Sequence, residues 1–246
     1  MNKIIFIKRA INSAGILLFL LFSFCISLTA VTASRDTVLH VQKTSDFKLG
    51  GTGNDEAWKI TNWIKLTKEG KGVEYETEMK ILYSDSGIYC FYKCQDTQIT
   101  ATLKGDFLDL YNEDVVEAFF WPDDTIPIYF EYELSPLNFE LPILVPNMKG
   151  RFWGWRPWHY EGERKTRHNA QIITDPVSGK VNGWTAEFFI PFKLLKPLTK
   201  VPPVKGTSWH ANFYRIDYDK PDNEWFWQPV RVNFHDYKRF GKILFD

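Results

Sequence analysis

The sequence predicts an antiparallel β-sandwich of about ten strands, and composition, turn residues and missing helical periodicity all support this fold class. Short runs rich in Val, Ile, Tyr, Phe and Trp recur along the chain, and Gly, Pro, Asp and Asn separate them. Helical spacing of apolar residues is almost absent outside two single turns, around 55–59 and 191–195. This combination is typical of an all-β domain.

Six of these runs are the predicted strands. They are Glu74–Tyr83, Gly87–Cys94, Val115–Trp121, Ile128–Leu134, Val181–Ile190 and Trp209–Tyr218. The sequence "SDSG" at 84–87 joins the first two runs tightly enough for a hairpin. Because side chains alternate along a strand, Phe130 and Tyr132 are expected on one face, and Glu131 and Glu133 on the other.

Residues 1–33 have the pattern of a secretory signal peptide. Three basic residues lie among the first nine, the apolar stretch Ile16–Leu28 follows, and small residues end the segment. Cleavage is expected after Ala33, and retention as an uncleaved anchor is the alternative. The mature chain, 34–246, is then one exported domain, periplasmic or extracellular, with no membrane span of its own.

The charge of the mature chain argues against a nucleic-acid partner. The full sequence is formally neutral, with 30 basic and 30 acidic residues. Removal of the first 33 residues takes away three basic residues and no acidic one, which leaves a formal charge of −3. A chain of this kind has no electrostatic attraction for a phosphate backbone.

The decapeptide "RFWGWRPWHY" at 151–160 concentrates flat rings and hydrogen-bond donors in one segment. Its glycine and proline, and the charged "EGERKTRH" that follows, indicate a loop. A sugar ring has an apolar face and a rim of hydroxyl groups, so it suits aromatic platforms flanked by planar polar groups. Trp153, Trp155 and Trp158 are therefore candidate sugar-binding residues, and packing in the sandwich core is the alternative.

Glutamates on the predicted strands leave a catalytic alternative open. Glu117 lies among apolar neighbours in "VVEAFF" and needs a polar partner. With Glu131, Glu133 or Glu187 it could form the acid pair of a glycoside hydrolase, or of an accessory subunit of one. Spacing along the chain does not give the separation of these carboxyl groups in space.

Two acid-rich loops raise the question of a metal. "DFLDLYNED" at 106–114 and "DYDKPDNE" at 217–224 offer oxygen ligands for a structural calcium ion, although neither follows the EF-hand pattern. Solvated turns are the alternative reading of both loops. No other cofactor is expected, because the His and Met residues lack metal-ligand spacing.

Six motifs in order resemble the family 9 carbohydrate-binding modules and their stand-alone relatives of DOMON-like β-sandwich fold. They are "GGTGNDEAW", "YNEDVVEAFFWP", "YFEYELSP", "WTAEFFIPFKLL", "WHANFYRID" and "NFHDYKRFGKILF". The resemblance runs from about Lys48 to Asp246. It implies a module without catalysis of its own that holds an oligosaccharide or a polysaccharide chain end. Such a module would support polysaccharide breakdown, with glycoside hydrolases as candidate partners.

The resemblance also implies that two aromatic side chains of this chain hold the sugar. One lies six residues before Glu117 and is Tyr111, and the other lies before the terminal "FG" strand and is Phe234. Both family positions are commonly Trp, so this chain departs from the pattern. The tryptophans of the 151–160 segment are expected to replace the lost stacking area.

The resemblance also implies polar side chains that contact the sugar. The planar polar residue of "YELSP" becomes Glu133, and that of "WHANFYR" becomes Tyr214, with Asn212 and Arg215 adjacent. Haem is a third hypothesis, because some DOMON-like relatives bind it through Met and His. Met79 and Met148 are the methionines of the mature chain, which disfavours haem.

Overall fold

The computed structural model describes residues 38–148, 151–157, 159–219 and 223–246. The predicted signal peptide and the candidate residue Trp158 lie outside these residues. Within them the strands are β1 (Leu39–Lys43), β2 (Ile64–Lys65), β3 (Thr67–Glu69), β4 (Thr77–Tyr83), β5 (Gly87–Cys94), β6 (Val115–Trp121), β7 (Ile128–Leu134), β8 (Glu140–Met148), β9 (Arg151–Phe152), β10 (Arg167–Thr174), β11 (Val181–Pro191), β12 (Ser208–Asp217), β13 (Asn223–Phe226) and β14 (Gly241–Phe245).

Helical structure in the described residues is limited to single turns. The short helix α1 spans Phe192–Leu195, and 3₁₀ turns span Glu56–Ile60, Leu110–Asn112, Gly162–Arg164 and Tyr237–Arg239. None of the described helices has the length and apolar character needed to cross a membrane.

The strands form two sheets that share strand β1. Sheet A has the order β1-β14-β12-β6-β7-β8-β9, with β13 beside β12 and β3 beside β13. Sheet B has the order β10-β11-β5-β4-β1, with β2 also paired to β4. Strand β1 runs parallel to β14 and then to β4, while the other pairs of both sheets are antiparallel. The predicted antiparallel sandwich is confirmed, with more strands than expected and one parallel exception.

The main core lies between the two sheets. Phe120, Phe130 and Phe213 reach it from sheet A, and Trp184 and Phe188 reach it from sheet B. All five side chains are fully buried. Burial of each such side chain contributes about 1.5–3 kcal/mol relative to exposure, so this layer holds the sheets together.

The outer face of sheet B is covered by the chain that follows β1. Trp58 packs on Phe91 with ring centroids 5.6 Å apart, and its Nε1 donates a 2.7 Å hydrogen bond to Glu187. The backbone N–H of Gly51 donates to the same carboxylate. Glu187 therefore fastens residues 44–60 to β11.

The outer face of sheet A carries polar residues of β7. Alternation turns Phe130 and Tyr132 into the main core, as predicted, and leaves Tyr129, Glu131 and Glu133 on the opposite face. A second apolar cluster covers part of this outer face. It consists of Phe119, Trp121, Tyr129, Val145, Tyr214, Phe226, Phe234 and Phe240.

Candidate functional site

A cavity of about 840 Å³ opens on the outer face of sheet A. Strands β6, β7, β8 and β12 form its floor, and three loop segments line its sides: 107–111, 154–156 and 230–235. Its volume falls in the range of typical ligand sites, roughly 300–1,000 Å³. The cavity is therefore the candidate functional site.

Aromatic rings from the three loop segments line this cavity. Tyr111 is 43% exposed and Trp155 is 48% exposed, while Phe234 is nearly buried. Phe107 also lines the cavity, with the guanidinium of Arg156 4.3 Å from the centre of its ring. Exposed rings in a concave surface offer a large apolar contact area to a ligand.

The predicted tryptophans divide between the cavity and the surrounding surface. Trp155 lines the cavity, and its backbone N–H and C=O both bond with Leu144 of β8 at 3.0 and 2.9 Å. Trp153 is 59% exposed but does not line the cavity. Trp158 is outside the described residues.

Tyr111 is held at the cavity by its backbone. It sits in the 3₁₀ turn Leu110–Asn112, where Leu110 is buried. The hydroxyl of Tyr218 donates a 2.7 Å hydrogen bond to the Tyr111 carbonyl, and the backbone N–H of Tyr218 donates to Asp114 at 2.8 Å. These bonds fix the turn while the Tyr111 ring stays exposed.

Tyr214 and Asn212 lie beneath the cavity wall and do not line it. Both side chains are fully buried. The Tyr214 hydroxyl donates a 2.9 Å hydrogen bond to the Phe234 carbonyl, and Asn212 Nδ2 donates to the Tyr214 hydroxyl at 2.7 Å. Asn212 also accepts the backbone N–H of Gln228 at 2.9 Å. The two residues therefore hold the loop that presents Phe234.

Three glutamates meet on the floor of the site. Glu117 of β6 lies directly opposite Glu133 of β7, and Glu131 is two residues from Glu133 on the same face. All three are buried, and Glu117 and Glu131 line the cavity. Among the described residues, Oε2 of Glu131 and both carboxyl oxygens of Glu133 have no hydrogen-bond partner.

Burial sets the protonation of this glutamate cluster. Loss of solvent, reinforced by neighbouring acids, raises the pKa values of Glu117 and Glu133 well above their usual range. Burial raises the pKa of Glu131 to about 8. At neutral pH the cluster therefore retains protons, and a neutral carboxyl group can both donate and accept hydrogen bonds.

His235 stands at the edge of the glutamate cluster. Its Nδ1 lies 2.6 Å from the Tyr129 hydroxyl and 3.7 Å from Oε2 of Glu131. Burial lowers the pKa of His235 to about 4, so the ring is neutral at pH 7 and does not pair as a cation with Glu131. The Tyr129 hydroxyl is one polar partner of the His235 ring.

Arg215 does not lie with the other predicted site residues, which corrects its placement beside Tyr214. Alternation along β12 turns it to the opposite face, where it is fully buried. Its Nη2 pairs with Asp96 at 2.9 Å and with Asp217 at 2.5 Å, and its Nη1 donates to the Gln95 carbonyl at 2.7 Å. Its role is to neutralise buried carboxylates.

One of the two predicted calcium loops, 217–224, contributes to this acidic cluster. Carboxyl oxygens of Asp96, Asp217 and Asp219 lie within 4.8 Å of one another, a spacing that a metal ion could bridge. Because Arg215 already contacts two of the three, the charge is partly compensated by the protein. Structural calcium stays a prediction.

The structure also gives the positions of residues considered for the hydrolase and haem alternatives. Glu187 fastens the covering segment of sheet B, so it is on the other sheet from Glu117 and cannot form an acid pair with it. For haem, Met79 is fully buried in the main core, and the side chain of Met148 is outside the described residues. These positions remove Glu187 from the candidate acid pairs and leave Met79 inside the main core, away from the cavity.

Several cavity residues were not among the sequence candidates. Glu131 was a candidate only for a catalytic acid pair, although its alternation with Tyr132 predicts the face it occupies. Phe107, Arg156, Arg231 and His235 come from loops that only the tertiary fold brings together. Arg156 belongs to the ring-rich 151–160 segment, but no local pattern in the sequence marks the other three positions.

Comparison with family models gives one match, over residues 49–244, to the model described as carbohydrate family 9 binding domain-like. No curated protein sequence matches the chain. Among solved structures, the chain is similar to a candidate carbohydrate-binding protein from Bacteroides uniformis, at 17% identity and a TM-score of 0.67. The likeness covers 85% of this chain and 99% of that one.

Two further structures are family 9 carbohydrate-binding modules from Caldicellulosiruptor kristjanssonii. One, in complex with cellotriose, is 15% identical with a TM-score of 0.61, and covers 85% of this chain and 94% of its own. The other, in complex with glucose, is 16% identical with a TM-score of 0.62, and covers 85% and 96%. At this identity the likeness establishes a shared fold.

Proposed function

Because the chain belongs to the carbohydrate family 9 binding domain-like family, we propose that it binds carbohydrate without catalysis, in the cavity on the outer face of sheet A. The observation that carries this proposal is the joint lining of one cavity by exposed aromatic rings and buried carboxyl groups. Rings suit the apolar face of a sugar, and carboxyl groups suit its hydroxyls.

Different residues supply these two kinds of contact. Tyr111, Trp155 and Phe234 offer ring surfaces along the sides of the cavity. Glu117 and Glu131 offer carboxyl oxygens from the floor. A typical hydrogen bond contributes about 0.5–1.5 kcal/mol, and because a neutral carboxyl group can both donate and accept, these two residues would supply much of the orientation of the ligand.

The saccharide class is proposed from the similar structures. Glucose and cellotriose are bound by the two similar modules, so glucose-based oligosaccharides are the first ligands to test here. Residues 1–33 support export to the periplasm or the extracellular space. There the protein would act beside glycoside hydrolases in polysaccharide breakdown.

Calorimetric titration of the purified protein tests the proposal. The titrants are glucose, cellotriose and oligosaccharides of xylose, mannose and galactose, followed by a glycan array. We expect saturable binding at one site per chain for at least one of these saccharides. No saturable binding in either assay would refute the proposal. Turnover of chromogenic glycosides would instead support the hydrolase alternative.

A further inference from the structure

Acidic residues outnumber basic ones along the cavity. Five carboxyl groups line it, from Glu69, Asp109, Glu117, Glu131 and Glu224. Two guanidinium groups line it, from Arg156 and Arg231, and the former lies over the Phe107 ring. His235 adds no charge near pH 7, because burial lowers its pKa to about 4. The described lining therefore has an excess of acid.

Two of the five lining carboxyl groups, those of Glu117 and Glu131, belong to the floor, and Glu133 lies beside them. The side chains of Glu117 and Glu133 are directly opposite each other on neighbouring strands, where Cβ atoms lie about 4.5–5.5 Å apart. Ionised groups in such a pair repel each other, and Glu131 adds a third carboxyl group on the same face.

The protein supplies no cation to this floor within its described residues. Glu131 is nine-tenths or more buried and lines the cavity, yet its Oε2 has no hydrogen-bond partner there, and neither carboxyl oxygen of Glu133 has one. The buried cation of β12, Arg215, is bound to Asp96 and Asp217 on the opposite face of the sheet. An unpaired buried carboxyl group costs free energy that a ligand could recover.

We infer that the cavity prefers a saccharide bearing a protonated amino group over the otherwise identical neutral saccharide. This inference rests on the proposed function and specifies its ligand. An ammonium group donates three hydrogen bonds and carries a positive charge, whereas the hydroxyl that it replaces donates one and carries none. The glutamate floor offers several oxygen acceptors for those donors, and an ammonium group beside it favours the ionised form of carboxyl groups that burial otherwise keeps protonated near neutral pH.

Three β-1,4-linked trisaccharides test this preference, because they differ only at carbon 2. Cellotriose has a hydroxyl there, fully deacetylated chitotriose an ammonium, and triacetylchitotriose a neutral acetamide. In titrations at pH 6.5 and low salt we expect the deacetylated compound to bind at least tenfold more tightly than the other two. The ratio should shrink as salt is added, because ions screen the attraction.

Substitutions of the floor glutamates test whether these residues cause the preference for an ammonium group. Glu131→Gln keeps the shape of the side chain but cannot ionise beside an ammonium group, so we expect the tenfold ratio to fall below threefold. Glu117→Gln serves as a second variant should the first fail to fold. Glu56→Gln is the matched control, because Glu56 is exposed and pairs with Lys59 far from sheet A. The control should keep the ratio of the unmodified protein.

Each remaining outcome is decisive. Equal or tighter binding of cellotriose would overturn the inference and leave the proposed function intact. Equal binding of spermidine, a trication without a sugar ring, would also overturn it, because the cavity would then recognise charge alone. If none of the trisaccharides binds, the inference fails. The proposed function is then tested separately by the calorimetric series and the glycan array described above.

Discussion

Phe234 stacks on Tyr214, with the ring centroids 4.1 Å apart and the ring planes 8° from parallel. One face of the Phe234 ring is therefore covered by the protein, which leaves its other face or edge for the cavity. The sequence resemblance assigned both residues to ligand contact. The structure instead gives Tyr214 a supporting position behind Phe234.

The hydroxyl of Tyr214 should contribute to stability and only indirectly to binding. Tyr214→Phe keeps the stacked ring but deprives the Phe234 carbonyl and Asn212 Nδ2 of a buried partner. We expect the free energy of unfolding, measured in urea, to fall by about 1–3 kcal/mol. A large loss of saccharide affinity without loss of stability would instead identify Tyr214 as a ligand contact.

Trp155 should be the tryptophan of the 151–160 segment on which binding depends. Trp155→Ala removes an exposed ring from the cavity, and we expect affinity to fall at least tenfold, or about 1.4 kcal/mol. Its backbone bonds to Leu144 do not involve the side chain, so the fold should persist. Calorimetric titration measures the change.

Trp153→Ala is the matched control for this variant. Trp153 is even more exposed but does not line the cavity, so affinity should change less than threefold. Equal losses in the two variants would contradict the geometry of the site. If both variants bind as well as the unmodified protein, the aromatic contacts with the saccharide come from Tyr111 and Phe234.

Stability should fall as pH rises from 6.5 to 8.5. The pKa of Glu131 is raised to about 8 and that of Asp114 to about 7, so the folded chain holds protons that the unfolded chain has released. The lowered pKa of His235 acts in the opposite direction, but mainly below pH 6.5. We expect a loss of about 1–3 kcal/mol across this window.

Urea titrations at several pH values measure this slope. Glu131→Gln cannot ionise, so its stability should depend less on pH than that of the unmodified protein. A stability that is flat or that rises over this window would show that the buried carboxyl groups are already ionised in the folded state.

Arg215 should matter for folding and not for ligand contact. Arg215→Met leaves Asp96 and Asp217 buried without their cation, which typically costs about 3–5 kcal/mol. Lys193→Met is the control, because its ion pair with Glu163 is exposed and should change stability little. If Arg215→Met keeps full stability, another group must neutralise the charge of the acidic cluster. A rise in stability on addition of calcium would then identify that group as the predicted metal ion.

The strands that were predicted correctly are those with strong local patterns. β5, β6 and β7 begin and end where the alternation and turn residues place them. β8 was missed because Pro142 and Pro146 argue against a strand; an edge position, with only the short β9 on its far side, allows them. β1 was missed because its parallel pairings join it to distant parts of the chain, and β14 was expected only from the family resemblance.

The site residues on strands were predictable, because side chains alternate along a strand. The site residues on loops were not. Alternation along β7 separates Glu131 and Glu133 from the core residues, and the same rule applied to β12 would have separated Arg215 from Tyr214. The approach of the 107–111 and 230–235 segments depends on tertiary packing that no short motif encodes.

Chemical-shift mapping by NMR tests the central claim most directly. The purified protein would be titrated with the tightest-binding saccharide of the calorimetric series while its backbone amide signals are followed. Binding in the cavity predicts shift changes concentrated in β6, β7, the Tyr111 turn and residues 230–235. Changes confined to sheet B, with the signals of Glu117 and Glu131 unmoved, would contradict it.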